Sequence, residues 1–230
     1  MLELFFYPSP NCWKISIALE ETETPYKIVP VNILEGRQTD PDFRMINPNG
    51  RVPAIRDPET GETRFESGAI LLWLAERTGR LLPEGPARLE AIEWLFWQMG
   101  GLGPMAGQAH HFLRYAPPGN GYSADRYQHE CKRLYSVLDA RLNGRAFLAG
   151  EMSVADVACW PWVWYHRMHG IDLCDFPDVA RWFQCLGARD AFARGRRAGL
   201  DMLPGDVRPL FDRGQWKDPP DRMAEATRID

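Results

Sequence analysis

Residues 2–7 are apolar almost without interruption and end at Pro8, which reads as a short strand. From Asn11 onward the spacing changes. Cys12, Ile15 and Leu19 recur at i, i+3 and i+7 while Lys14, Glu20 and Glu21 fall on other faces, the stripe of a helix with one buried side. Residues 26–31 read as a second strand, and 32–49 are polar and turn-rich with room for a short helix near Phe43. Residues 52–56 predict a third strand led by Pro53, and the turn at 57–61 returns the chain into a fourth at 62–65. Ser67 then reads as the cap of a helix carrying Ile70, Leu71 and Leu74 and stopping near Gly79. The order βαβ then ββα predicts a small α/β unit on a mixed four-stranded sheet.

The proline-bounded segment 81–86 breaks this pattern, and no strand signal follows it. Helical periodicity runs from Arg88 to Tyr115, interrupted by Gly100-Gly101-Leu102-Gly103-Pro104, where a bend is expected. A long helix over 122–142 carries Leu134, Val137, Leu138 and Leu142. Ser153-Val154-Ala155-Asp156 has the form of a capping box and starts a helix toward Met168, and Pro177 opens another at its first position. The expected domains are therefore 1–81 (α/β), a linker at 82–86, an all-α domain at 87–202, and an extended or disordered tail at 203–230.

Composition narrows the function. A net charge of −4, spread along the chain, argues against a nucleic-acid surface. The longest apolar stretch is far too short for a bilayer, which needs roughly 20 residues, and the N-terminus lacks a basic segment of the signal-peptide type. The five cysteines, Cys12, Cys131, Cys159, Cys174 and Cys185, are scattered and form no Cys-x-x-Cys. That usage fits a reducing, cytoplasmic setting and supplies no zinc site. His110-His111 lacks a partner at i+4 and the two rings leave different faces of a helix, so no metal is expected.

The turn Ser9-Pro10-Asn11-Cys12 carries the most chemistry. A strand that turns directly into a helix leaves first-turn N–H groups unpaired, and that end favours a thiolate or another anion. Ser-x-x-Cys is one substitution from a Cys-x-x-Cys redox turn, so the chemistry expected here is that of sulfur. Ser9 and Asn11 are also ordinary capping residues. Cys12 lies on the apolar stripe, which reads as a small buried thiol, yet it also holds the resolving position of a thioredoxin-type turn. Burial is the favoured reading.

Four local sequences in order, 9–14, 51–55, 65–70 and 153–156, resemble the cytosolic glutathione transferases, over roughly residues 2–200. Within that family the chain is most similar to the bacterial Nu class and the yeast Ure2-type proteins. Ser9-Pro10-Asn11 followed by Lys14-Ile15, the run 95–105, and Ala158-Cys159-Trp160-Pro161-Trp162 point there. The resemblance implies a thioredoxin-like first domain and glutathione as co-substrate, one or two per subunit.

It also implies roles for particular residues. Val52 and Pro53 would be joined by a cis peptide, with the Val52 backbone pairing to the cysteinyl part of glutathione. The Ser67 hydroxyl and the adjacent N–H groups would take the γ-glutamyl carboxylate, and Glu66 the ammonium. Gln38, with Arg37 nearby, would reach the glycyl end or the backbone. Ser9 and Asn11 would donate to the glutathione sulfur and favour its thiolate. Serine stands where the Nu class often has threonine. His111 and Phe112, with Tyr115, would wall a second pocket, and Arg126 and Arg133 would neutralise a second glutathione.

The resemblance favours glutathione-dependent disulfide reduction, in which two glutathiones supply both sulfurs. Conjugation or thioether cleavage of an aromatic electrophile is the alternative enzyme, and a non-catalytic glutathione-binding regulator the alternative class. A homodimer is expected. Trp94, Phe96 and Trp97 cannot all face one core, so one of them must cover another surface.

Overall fold

The computed structural model describes residues 1–205 and Arg208. The expected tail therefore lies largely outside the described residues. By packing the described residues divide into two compact units, Met1–Leu82 together with the segment from Gly187 to Gly205, and Pro83–Leu186.

The first unit is built on four strands: β1 (Leu2–Phe6), β2 (Tyr26–Pro30), β3 (Ala54–Arg56) and β4 (Thr63–Phe65). Their order is β2-β1-β3-β4, with β1 parallel to β2 and antiparallel to β3, and β3 antiparallel to β4. β1 is buried throughout, which is why its sequence is apolar except at Glu3, whose carboxylate pairs with Lys27 and Arg56. Three helices accompany the strands: α1 (Pro10–Glu21), α2 (Pro41–Ile46) and α3 (Ser67–Thr78). Phe43 of α2 meets Phe5 with ring centroids 5.8 Å apart, in a cluster with Val31 and Ala54.

The second unit is helical: α4 (Pro86–Trp97), α5 (Gly103–Arg114), α6 (Gly121–Leu142), α7 (Val154–Trp164) and α8 (Pro177–Gly187). The glycine-rich interruption is a π-helical segment, Gln98–Leu102, joining α4 to α5. At the start of α5 a Cβ on Gly103 would lie 2.6 Å from the Gln98 side-chain amide, which would have to shift, whereas Gly100 within the π segment has open space around it. The capping box forms as its sequence predicts. Asp156 accepts from the Ser153 and Leu148 N–H groups and from the Trp182 indole. Burial raises its pKa to about 6 against those hydrogen bonds. Asp139 of α6 caps α8 by accepting from the N–H groups of Asp178 and Val179.

One element has no counterpart in the sequence reading. A ninth helix, α9 (Asp190–Arg197), packs on α1. Ser16 donates to the Gly195 carbonyl at 2.7 Å, and Arg189 forks onto Glu21 at 2.7 and 2.8 Å. Helical character alone assigns 187–202 to the helical domain; packing joins this segment to the first unit.

Candidate functional site

Register places the first unit's candidates at one end of the sheet. Phe5, Ala54 and Phe65 are mates across β1, β3 and β4. The chain leaves β1 there toward Ser9, enters β3 there through Val52 and Pro53, and leaves β4 there into Glu66 and Ser67. Ends of strands far apart in sequence are thus gathered by pairing alone.

Ser9 is the N-cap of α1, with φ −155° and ψ 158°, and its hydroxyl oxygen accepts from the Cys12 N–H at 3.4 Å. The oxygen takes the helix donor and leaves the hydroxyl hydrogen to point elsewhere. Asn11 lies in the first turn, half-buried. Cys12 is 0% exposed, and burial pushes its thiol to about 12, only partly opposed by hydrogen bonds from Ser9 and the Tyr7 backbone. A thiol so placed is neither ionised near neutrality nor accessible. The buried reading of Cys12 is the one the structure supports. Tyr7 closes the same segment; burial, and then Glu35, hold its phenol above its ordinary value.

At α3 the sequence reading is off by one. Glu66, not Ser67, is the N-cap residue; its side chain is exposed and makes no capping hydrogen bond. Its φ of 65° and ψ of 115° are rarely adopted by a non-glycine residue. Capping propensity favours serine, but the turn out of β4 places serine one residue inside the helix. Ser67 is 4% exposed and accepts from the Lys14 ammonium at 3.4 Å.

The Val52–Pro53 bond is cis. Val52 is half-buried and precedes the ladder residues of β3. The loop before it is braced by Asn47, whose amide donates to the Arg51 carbonyl at 2.5 Å. Gln38 sits on a 3₁₀ turn, and its Oε1 is buried with no hydrogen-bond partner among the described residues. Such an orphaned acceptor suits a ligand donor. Gly50, at φ +62°, lies against the Gln38 carbonyl, 3.1 Å from where a Cβ would sit. Arg37 points to Glu35 and Asp40 and is exposed.

In the second unit a groove of about 700 Å³ between α5 and α6 is lined by Met105, Tyr122, Arg126, Tyr127, Glu130 and Arg133, among others. It brings Arg126 and Arg133 together. Arg133 is held by Glu130 through two hydrogen bonds of 2.8 and 2.7 Å. Phe112 does not line the groove but stacks on Tyr127 at 5.4 Å, and His111 is exposed against the edge of Phe112. His110, by contrast, bonds the Tyr115 hydroxyl at 3.0 Å, and burial, then Arg114, lowers its pKa to about 4. Sequence spacing alone did not separate these neighbours into one buried and one exposed ring. Among the described residues no group of three or more His, Cys, Asp or Glu side chains is placed to hold a metal ion.

Comparison with known proteins gives a consistent result. The family model of the glutathione S-transferase N-terminal domain matches residues 8–77, and that of the C-terminal domain matches 104–190. The disulfide-bond oxidoreductase YfcG of Escherichia coli is 47% identical over 198 residues, covering 83% of this chain and 92% of that protein. A Burkholderia graminis glutathione transferase, crystallised with two glutathione molecules per subunit, superposes with a TM-score of 0.79. It is 42% identical over 86% of this chain and 88% of the other. A Pseudomonas putida transferase with one glutathione disulfide per subunit superposes with a TM-score of 0.81. It is 38% identical over 86% of this chain and 91% of the other.

Proposed function

Because this chain belongs to the glutathione S-transferase family, we propose that it is a glutathione-dependent disulfide-bond oxidoreductase whose reacting sulfurs both come from glutathione. The burial of Cys12 carries this reading. The thiol in the sulfur-directed turn is 0% exposed, so the nucleophile must be brought in. The naming of YfcG as a disulfide-bond oxidoreductase, and neighbours holding two glutathiones or one glutathione disulfide, support it.

The first glutathione lies along the end of the sheet where β1, β3 and β4 meet. Its cysteinyl backbone pairs with Val52 beside Pro53, its γ-glutamyl carboxylate meets Ser67 and the α3 N–H groups, and Glu66 takes its ammonium. Gln38 Oε1 accepts from its amide. Ser9 and Asn11 donate to its sulfur, which favours the thiolate. The second glutathione draws on Arg126 and Arg133, with Phe112 and His111 behind Tyr127. One glutathione thiolate attacks the substrate disulfide, giving a mixed disulfide and releasing the first substrate thiol. The second glutathione thiolate attacks the glutathione sulfur of that adduct, giving glutathione disulfide and the second substrate thiol. Two thiol protons pass to the two leaving thiolates, so the balance closes.

The enzyme acts as a homodimer in the cytoplasm. Five free cysteines suit a reducing compartment, and no described helix is long and apolar enough to cross a membrane.

The test compares turnover of a small dialkyl disulfide with conjugation of a chloronitrobenzene, both with glutathione. Faster disulfide reduction is expected, because serine and asparagine occupy the turn at the start of α1 and Tyr7 before it is buried. Fast conjugation with negligible reduction favours the conjugating alternative, and tight glutathione binding without either activity favours a regulator.

A further inference from the structure

The 3₁₀ turn His166–His169 packs on α5 and, with His110 of that helix, gathers three imidazoles in the second unit. His169 is 0% exposed, and neither of its ring nitrogens has a hydrogen-bond partner among the described residues. Its ring meets that of His110 edge-on with centroids 5.8 Å apart, and lies 6.1 Å from Trp162 of α7. His110 is hydrogen-bonded to the Tyr115 hydroxyl at 3.0 Å and lies 5.9 Å from the Tyr165 ring. A neutral imidazole is tolerated at His169. An imidazolium there would have lost its water and gained no acceptor.

The surrounding charges act in the same direction. Arg114 and His111 of α5 bear on His110, and His110, His166 and Arg114 bear on His169. The nearby carboxylate, Asp172, bears on His166, where Arg167 opposes it. From α6 comes the uncharged Gln128 amide, which donates to the Gly170 carbonyl at 3.4 Å. Burial, then these basic neighbours, lower the pKa of His110 to about 4 and hold that of His169 well below its ordinary value. The Arg114 guanidinium also ties the turn from outside, donating to the Arg167 carbonyl at 2.9 Å. Inside, the buried side chains of the turn are Met168 and His169.

We propose that His110 and His169 form an acid-sensitive latch: while both rings are neutral they hold the turn His166–His169 against α5, and proton uptake releases the turn ahead of the rest of the second unit. The proposal does not depend on the glutathione reading. A buried base whose pKa is lowered contributes its full stability above the unfolded-state value near 6.5. That contribution is lost progressively as pH falls toward about 4. Between about pH 7.5 and about pH 5.5 each ring raises the opening constant about tenfold, and the pair about a hundredfold. Asp156, raised to about 6, works in the opposite sense but is common to every variant compared.

The test is hydrogen–deuterium exchange of the full chain at the two pH values, corrected for the intrinsic pH dependence of exchange. His169→Gln, His110→Gln and the double variant are compared with the unaltered protein. The reporters are the N–H groups of Met168, Gly170 and Ile171, bonded to the carbonyls of Tyr165, Arg167 and His166. In the unaltered protein their opening should rise about a hundredfold on acidification, while α4 and α7 change far less. Either single variant should cut that rise to about tenfold, and the double variant should nearly abolish it. If a glutamine variant does not fold, phenylalanine at the same position is read in the same comparison. A rise that survives in the double variant, or that is absent from the unaltered protein, would overturn the assignment to these two rings. Protection lost evenly across the second unit would show that acid unfolds it as a whole, and would overturn the latch.

Discussion

Cys12 and Ser9 are three residues apart and have opposite fates. The apolar stripe with Ile15 and Leu19 already indicates that Cys12 faces the core, and the structure places it there at 0% exposure. Ser9 keeps its hydroxyl at the helix end because a cap must sit outside the helix it starts. Glu66 and Ser67 were legible as a pair but not in their order. Capping preference reads the side chain, whereas the positive φ of Glu66 is set by the turn out of β4. The expected consequence concerns mechanism. Cys12→Ala should retain most disulfide-reductase turnover, while Ser9→Ala should lose more, chiefly in kcat, as the glutathione thiolate loses its donor. Mass spectrometry during turnover checks the route directly. Glutathione found covalently on Cys12, with Cys12→Ala inactive, would replace the two-glutathione route by one through a protein thiol.

Elements with long, regular apolar spacing were legible: α1, α3, α6 and the capping-box start of α7 all stand where their patterns place them. Each strand is slightly shorter than the segment read for it: β1 and β2 pair over five residues, and β3 and β4 over three. α9 escaped the reading for a physical reason. It is eight residues long and carries Arg194, Arg196 and Arg197, so its sequence shows little apolar stripe, and its place in the first unit comes from packing on α1. Gly195 is the point of closest approach, where a Cβ would lie 2.6 Å from the Cα and N of Ile17. Alanine is the better helix former by about 1 kcal/mol, but backbone atoms of a buried helix cannot yield cheaply. Gly195→Ala should therefore destabilise the protein by about 1–3 kcal/mol, the usual cost of overpacking. Thermal unfolding measures it, with glutathione affinity as a second readout because α1 carries Ser9. An unchanged or raised unfolding midpoint would mean that α9 is not held against α1 in solution.

For the molecule as a whole, the sequence read the two architectures, a mixed sheet with helices and an all-helical domain, because strand and helix periods segregate along the chain. It left the surface open: Trp94, Phe96 and Trp97 could not share one core, but periodicity did not say which would be left outside. The structure packs the edge of Trp94 against Trp97 with ring centroids 5.0 Å apart, and buries Ala91 and Leu95. Phe96 is left 66% exposed and Leu89, two turns earlier on the same helical face, 62% exposed. Large apolar side chains left together in this way mark interaction surfaces, and closed two-fold dimers are the commonest assembly of like chains. A homodimer that covers this face of α4 accounts for both residues. Light scattering should then give a mass near twice the 26.3 kDa of the chain. Introducing glutamate at both positions, Leu89→Glu with Phe96→Glu, should shift the protein toward a single-chain mass without lowering its helix content, since neither side chain belongs to the core. If the unaltered protein runs as a monomer at micromolar concentration while still binding glutathione, the dimer is wrong. If the doubly substituted protein remains a dimer, the α4 face is not its interface.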